Sequence, residues 1–307
     1  MKSISYYILP LLISLLAACG GTSTTETASS DSVTVADPQP STTVSLQEMW
    51  ATDTVMRNPE SVLYDEGNNV LYVANIGNID KEGQDGDGFI SKLSPDGSVE
   101  ELKWVTGLND PKGMGLYDNT LYVTDINQIA AIDISNGQVK QRYPVQGAKF
   151  LNDITVDSGG KVYVSDSDTD KIHLLDNGQV STWMSDSTLQ RPNGLLIESD
   201  RLLLASAGGG FLAPISEDNK EVQSHWIDGI PSADGIIQTA DGNYIVSTWQ
   251  GEVHYVNPTD NANIKLLDTK DQKINAADIG YITGENLLLV PTFTDHRVVA
   301  YKVNKER

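Results

Sequence analysis

Six segments of this chain place Glu60, Lys112, Asn152, Asn193, Asp234 and Ala277 at the same point of a recurring pattern. Each is followed by a small or acidic residue and then an aliphatic one, as in Glu60-Ser61-Val62, Asn193-Gly194-Leu195 and Asp234-Gly235-Ile236. Successive members lie 40 to 52 residues apart. Two carboxylates and two carboxamides are hard oxygen donors, and gathered at one place they suit calcium. Without a cation they need other partners, because a desolvated carboxylate is costly when unpaired. Lys112 could be that partner. The alternative to a metal site is therefore a Lys112–Glu60 ion pair, with the amides satisfying backbone groups.

The elements that must position these residues are short strands. The segment 150–183 reads as four in a row, at 152–156, 161–165, 171–175 and 179–183, separated by Ser-Gly-Gly, an acidic tip at 166–170 and Asn177-Gly178. Alternating Val and Ile favour strands, and Gly-Gly and Asn-Gly are hairpin turns. One such meander cannot bury both faces by itself, so it must be a repeat unit. A second strand follows every anchor, from Leu71-Tyr72-Val73 to Leu287-Leu288-Leu289. A period near 40 with four strands per unit predicts an all-β chain, a β-propeller of six four-stranded blades. The sixth unit runs out of chain after its third strand, and the strand at 44–50 is expected to close it.

That topology brings chemistry to one end of the central channel. The start of each innermost strand and the tips joining second to third strands share a rim, so the six anchors converge on one mouth. The tips are expected to wall it with Asn75, Asp125, Asp166, the turn at 208–211, Trp249 and Phe293. Trp249 and Phe293 supply apolar walls beside a polar floor, the usual make-up of a small-molecule site. Blade one carries an excursion at 77–88 whose Asp80, Glu82, Asp85 and Asp87 could form a lid or a second calcium loop, a solvated acidic loop being the commoner outcome. Asp166-Ser167-Asp168-Thr169-Asp170 lacks the glycine and terminal glutamate of a helix–loop–helix calcium site and reads as a hairpin tip.

Composition narrows the partners. The net charge of −21 argues against nucleic acid or an anionic membrane surface. Residues 1–18 read as a signal peptide, with an apolar run too short to span a bilayer. They end Leu16-Ala17-Ala18-Cys19-Gly20, which resembles the bacterial lipoprotein box. Cys19 is the single cysteine, so no intrachain disulfide can form, and lipid attachment is its expected role. Two acyl chains on one diacylglycerol suffice for stable anchoring. Residues 19–43, rich in Ser, Thr, Ala, Asp and Pro, read as a flexible tether, and 44–303 as the propeller. The expected location is the cell envelope, with the membrane touched through the lipid alone and the propeller a monomer.

The motifs Pro59-Glu60, Asn152-Asp153, Pro192-Asn193-Gly194 and Asp234-Gly235 resemble the metal-site motifs of the gluconolactonase and regucalcin family. The resemblance covers roughly residues 59–303 and implies a six-bladed, calcium- or zinc-dependent lactone hydrolase. It implies Glu60, Asn193 and Asp234 as metal ligands, and Asn152 as a further ligand or a substrate contact. Two positions depart from the pattern. Phe150 stands where gluconolactonases usually carry an arginine, and Lys112 where paraoxonases place a histidine. Of the four histidines, His173, His225 and His254 are expected inside third or fourth strands, and His296 at the start of blade six's third strand. A histidine-driven mechanism is disfavoured.

No Walker-type loop, His-Glu-x-x-His, Gly-x-Ser-x-Gly elbow or cysteine nucleophile occurs outside these motifs. Two functions follow. In the first the chain hydrolyses a lactone or related small ester, Asp234 or Glu60 assisting a water and Lys112 protonating the leaving alkoxide. In the second the mouth binds a small ligand or a protein partner without catalysis, and calcium only stabilises the fold.

Overall fold

The computed structural model describes residues 43–79 and 83–306. The expected signal peptide, Cys19 and the tether up to residue 42 lie outside the described residues, as do Asp80 and Glu82. The described chain is built from strands with three 3-10 turns, and its strands form six antiparallel four-stranded sheets. In five of them the strands run in chain order from the channel outwards. Those of blade three, Leu151–Val156, Val162–Asp166, Lys171–Asp176 and Gln179–Ser185, match the sequence reading to within two residues.

Blade six is composite. Its inner three strands are Gly280–Ile282, Leu287–Thr292 and Arg297–Glu306, and the outermost is the first strand of the described chain, Thr43–Ala51. The pairing runs antiparallel from Thr43 opposite Glu306 to Ala51 opposite Val299. The propeller thus extends slightly beyond the expected 44–303. Closing the ring this way covers the edges that an open sheet would leave exposed.

The apolar core is distributed as wedges between successive blades. Val70, Tyr72 and Ile90 of blade one meet Met114, Leu121 and Val123 of blade two, and the same arrangement recurs around the ring until Val62, Leu71 and Val73 meet Leu287, Leu289 and Val298 of blade six. This explains why the second strands are mostly buried, and wholly so at Val70–Asn75 and Leu287–Thr292. A sheet covered on both faces reads as a continuous apolar run.

A candidate site at the channel mouth

The local device that aims the anchor residues is a β-bulge. In blade three Leu151 pairs with Asp166 and Ile154 with Val164, so Asn152 and Asp153 together oppose Ser165. The same two-against-one count sets Lys112 and Gly113 against Thr124, Asn193 and Gly194 against Ala205, and Asp234 and Gly235 against Ser247. In blade one Glu60 is the extra residue between Pro59 and Ser61. A bulge breaks the strict in–out alternation and re-aims a side chain. Ala277 is the exception, preceding its strand rather than lying within it.

Hydroxyls opposite the bulges fasten neighbouring blades. Ser165 Oγ accepts from Asp153 N (2.9 Å) and Ser247 Oγ from Gly235 N (2.9 Å). Ser247 Oγ also donates to Ala277 O (2.7 Å), and Thr124 Oγ1 to Asn152 O (2.6 Å). The sequence reading missed these positioning residues. Their signal was a Ser or Thr directly after the apolar triplet of the second strand in blades two, three and five.

Glu60, Asn152, Asn193 and Asp234 are all buried. Lys112 Nζ stands 3.7 Å from Glu60 Oε1 and 4.9 Å from the centroid of the Phe150 ring. Asn193 Nδ2 donates to Asp234 Oδ1 (3.1 Å). Two oxygens of this group, Glu60 Oε2 and Asn193 Oδ1, are buried with no hydrogen-bond partner among the described residues. Asn152 occupies the equivalent bulge of blade three, but its carboxamide touches neither Asp234 nor Glu60 by a hydrogen bond. The Lys112–Glu60 ion pair of the sequence analysis is therefore present, but the Asn193 amide serves the Asp234 side chain rather than a backbone group.

The structure adds two carboxyls that the sequence reading did not single out as site residues. Asp153 accepts from Leu195 N (2.7 Å) and Ile154 N (2.6 Å), both backbone amides, one of them from the next blade. It also shares a hydrogen bond with Asp278, which bridges to Ser61 across the junction of blades six and one. Room for Asp278 comes from Gly235, where a Cβ would stand 2.4 Å from Asp278 Oδ1. Burial, with Glu60 adding its charge, pushes Asp153 up to about 7 despite its two amide donors. Burial and the neighbouring acids raise Asp278 and Asp234 well above the ordinary carboxylate range. Burial also raises Glu60, with Lys112 opposing. The Lys112 ammonium opposes the rise at Asp234 as well.

Several expected mouth walls are not walls. Asn75, Asp125 and Asp166 are fully buried and cap the loop entering their own blade. Asn75 Oδ1 accepts from Arg57 N (2.9 Å), Asp125 Oδ1 from Asn109 N and Asp110 N (2.9 and 3.0 Å), and Asp166 Oδ1 from Phe150 N (2.9 Å). Their oxygens are consumed by backbone donors that would otherwise be buried unsatisfied. Phe211 is buried as well and stacks on His225, with ring centroids 3.8 Å apart. Trp249 is 38 % exposed and Phe150 37 %, so both present ring surface to solvent. Phe293 is buried against Trp249, edge to face at 4.9 Å.

The histidines lie away from Glu60 and Asp234. His173 contacts Asp166 at 3.4 Å within a third strand, and His254 sits in another. His225 falls in a loop rather than a strand, and His296 immediately precedes its strand with φ 60°. Asp87 and Asp85 of the blade-one excursion bind local backbone amides, Asp87 Oδ2 accepting from Asn78 N (3.2 Å) and Asp85 Oδ1 from Asp87 N (3.1 Å). Asp166–Asp170 is a plain hairpin tip, as expected. Among the described residues no three His, Cys, Asp or Glu side chains gather closely enough to hold a metal by themselves. A cation at this mouth must draw on carboxamide oxygens and water as well as on Glu60 and Asp234.

Fold and site together define a six-bladed β-propeller whose channel mouth holds a buried acid–amide group beside one lysine. The same fold is found in a candidate gluconolactonase (15 % identity, TM-score 0.63), the match covering 86 % of this chain and 93 % of that one. It is found also in virginiamycin B lyase from Staphylococcus aureus, in a catalytically inactive form with quinupristin (13 %, TM-score 0.59, covering 85 % and 99 %). A chain of the nidogen–laminin complex is similar over 72 % of this chain and 84 % of its own (18 %, TM-score 0.60). No protein-family model matches the sequence, and no curated protein matches it. At these identities the likeness is one of fold, and it agrees with the fold that the resemblance to gluconolactonases implied.

Proposed function

We propose that this chain hydrolyses a lactone or a related small ester at the channel mouth, using a divalent cation. The observation that supports this reading is the pair of orphaned buried oxygens, Glu60 Oε2 and Asn193 Oδ1, beside the Asp234 carboxylate. Buried polar atoms without partners are rare, and each calls for an explanation, a bound ion or water among them. Oxygen donors of this kind fit calcium, with zinc as the alternative. Glu60, Asn193 and Asp234 would hold the ion and Asn152 would complete its surroundings or face the substrate. Bound there, the cation would supply Lewis-acid polarisation of the carbonyl.

The chain's own residues do the rest. Trp249, backed by Phe293, offers a flat apolar surface for the ring of a substrate. Lys112 is held between the Glu60 carboxylate and the Phe150 ring, and its ammonium donates a proton to the departing alkoxide. Asp234 accepts a proton from the attacking water. The test is hydrolysis of a panel of lactones and simple esters by wild type and Lys112→Gln, each with calcium and with chelator. Calcium-dependent turnover should appear in wild type and drop about 100-fold in kcat in Lys112→Gln, the usual scale of one proton-transfer group. Turnover unchanged by chelator would sink the metal, and turnover unchanged in Lys112→Gln would sink the acid.

A second reading has its own observation. Phe150 replaces the arginine of the resembled family and Lys112 is engaged by Glu60, which suits a mouth that binds a small ligand or protein without turning it over. Calcium binding with no turnover across the panel is its signature.

Cys19 would carry a diacylglycerol and hold a monomeric propeller on the cell envelope, through the lipid alone and without nucleic acid. Cys19→Ser should then yield a folded protein that partitions into the aqueous phase of a detergent separation and incorporates no palmitate label. A mutant that still partitions with detergent and still takes the label would show that the anchor lies elsewhere.

A further inference from the structure

On the rim that carries the mouth, between the tips of blades one and six, a pocket of about 690 Å³ is lined by Arg57, Lys103 and His296, with Asn58, Phe89 and Asp87 beside them. Three observations single it out. Arg142, Arg191, Arg201 and Arg297 each hold an aspartate or glutamate. Arg57 is the one arginine among the described residues that holds none, in a chain with twice as many acidic as basic residues. Lys103 likewise has no carboxylate partner among the described residues, and its ammonium stands 4.8 Å from the centroid of the Phe89 ring. His296 Nδ1 accepts from Asn58 N (3.3 Å), a backbone amide that can only donate. The neutral ring therefore carries its proton on Nε2, and among the described residues Nε2 has no acceptor.

Asp87 borders the same pocket but forms no ion pair with Arg57, Lys103 or His296 among the described residues. Both its oxygens are turned to Asn78 N, at 3.2 and 3.4 Å. The pocket floor is fixed, since Asn58 is buried and its Nδ2 donates to Phe293 O (3.3 Å). A guanidinium, an ammonium and an imidazole N–H lining one pocket match the oxygens of an anion, and charge-assisted hydrogen bonds of this type are the strong ones.

We infer that the blade-one/blade-six pocket is a binding site for a small oxyanion, the carboxylate or phosphate group of a soluble ligand, held by Arg57, Lys103 and His296. The inference stands apart from the hydrolase reading, because it needs neither a metal nor turnover at the mouth.

Inorganic phosphate is the first probe and acetate the second, each titrated into the full chain at constant ionic strength. Calorimetry measures binding, and the His296 ring resonance measures its location. Phosphate should bind saturably at one site per chain and shift the His296 resonance. The double variant Arg57→Gln/Lys103→Gln should bind about tenfold more weakly or worse, while Lys161→Gln/Lys171→Gln, on blade three, should bind as wild type does. An unchanged far-ultraviolet spectrum and melting point would show that the double variant is folded. Acetate binding at the same site would assign it to carboxylates, and phosphate alone to phosphates. Absence of saturable binding of either anion, or wild-type affinity in the double variant, would overturn the proposal.

Discussion

Asp234→Asn should lose nearly all of the stabilisation that calcium confers on the wild type. A ligand that binds only the folded state adds about 2.7 kcal/mol at 100 times its dissociation constant. For a chain of this size that corresponds to a rise of roughly 5–10 °C in melting temperature. Calcium affinity depends on the number and charge of oxygen ligands, so a carboxamide in place of one of two carboxylates should leave a rise of a degree or less. The same variant in chelator should melt no lower than chelated wild type, because it removes a desolvated charge that Glu60 and Asp153 disfavour.

The pH dependence carries the sign. Asp234, Asp153 and Asp278 have folded-state values raised by burial, so the folded chain binds more protons than the unfolded one. In chelator, their contribution is fully present below the ordinary carboxylate range, near about 4. It is lost as the pH rises through the folded values, the Asp153 step falling at about 7. Melting curves of wild type and Asp234→Asn between pH 4 and 8, with calcium and with chelator, decide the matter. A wild type indifferent to calcium at every pH would leave only the Lys112–Glu60 ion pair at the mouth.

Removing the strand Thr43–Ala51 should be the most damaging truncation of the propeller, whereas removing residues 20–42 should leave its stability unchanged. The strand makes the full outer ladder of blade six, and it buries Val44 beside Tyr255 and Val303. Its Trp50 packs on the wedge between blades six and one, next to Met56. Without it the strand Arg297–Glu306 becomes an open edge of ten residues, a template for aggregation. The loss should reach several kcal/mol, a large share of the 5–15 kcal/mol that holds a typical domain together. Urea unfolding of the two truncations measures it, and equal midpoints would show that the closure contributes nothing.

Much of this architecture was legible in the chain because its signals are local. Alternating Val and Ile, Gly-containing turns and the recurrence near 40 residues specify strands, hairpins and a blade count without reference to anything distant. Even the composite blade could be read, since a unit lacking its fourth strand must find one, and 44–50 is the spare. The grouping of Glu60, Asn193, Asp234 and Lys112 was legible for the same reason: equivalent positions in a closed repeat converge. The three-dimensional fold decided what those residues do there. Bulges at the anchors, invisible in the alternation of side chains, turn Lys112, Asn152, Asn193 and Asp234 away from the pleat. Asn75, Asp125 and Asp166 read as rim acids and amides, yet each is withdrawn to cap backbone amides of its own entry loop, since a buried N–H must find an acceptor. Asp153 and Asp278 looked like incidental neighbours of the anchors. Closure of the ring makes them a hydrogen-bonded carboxyl pair between distant blades, because charge, burial and partner are properties of the surroundings and not of the residue.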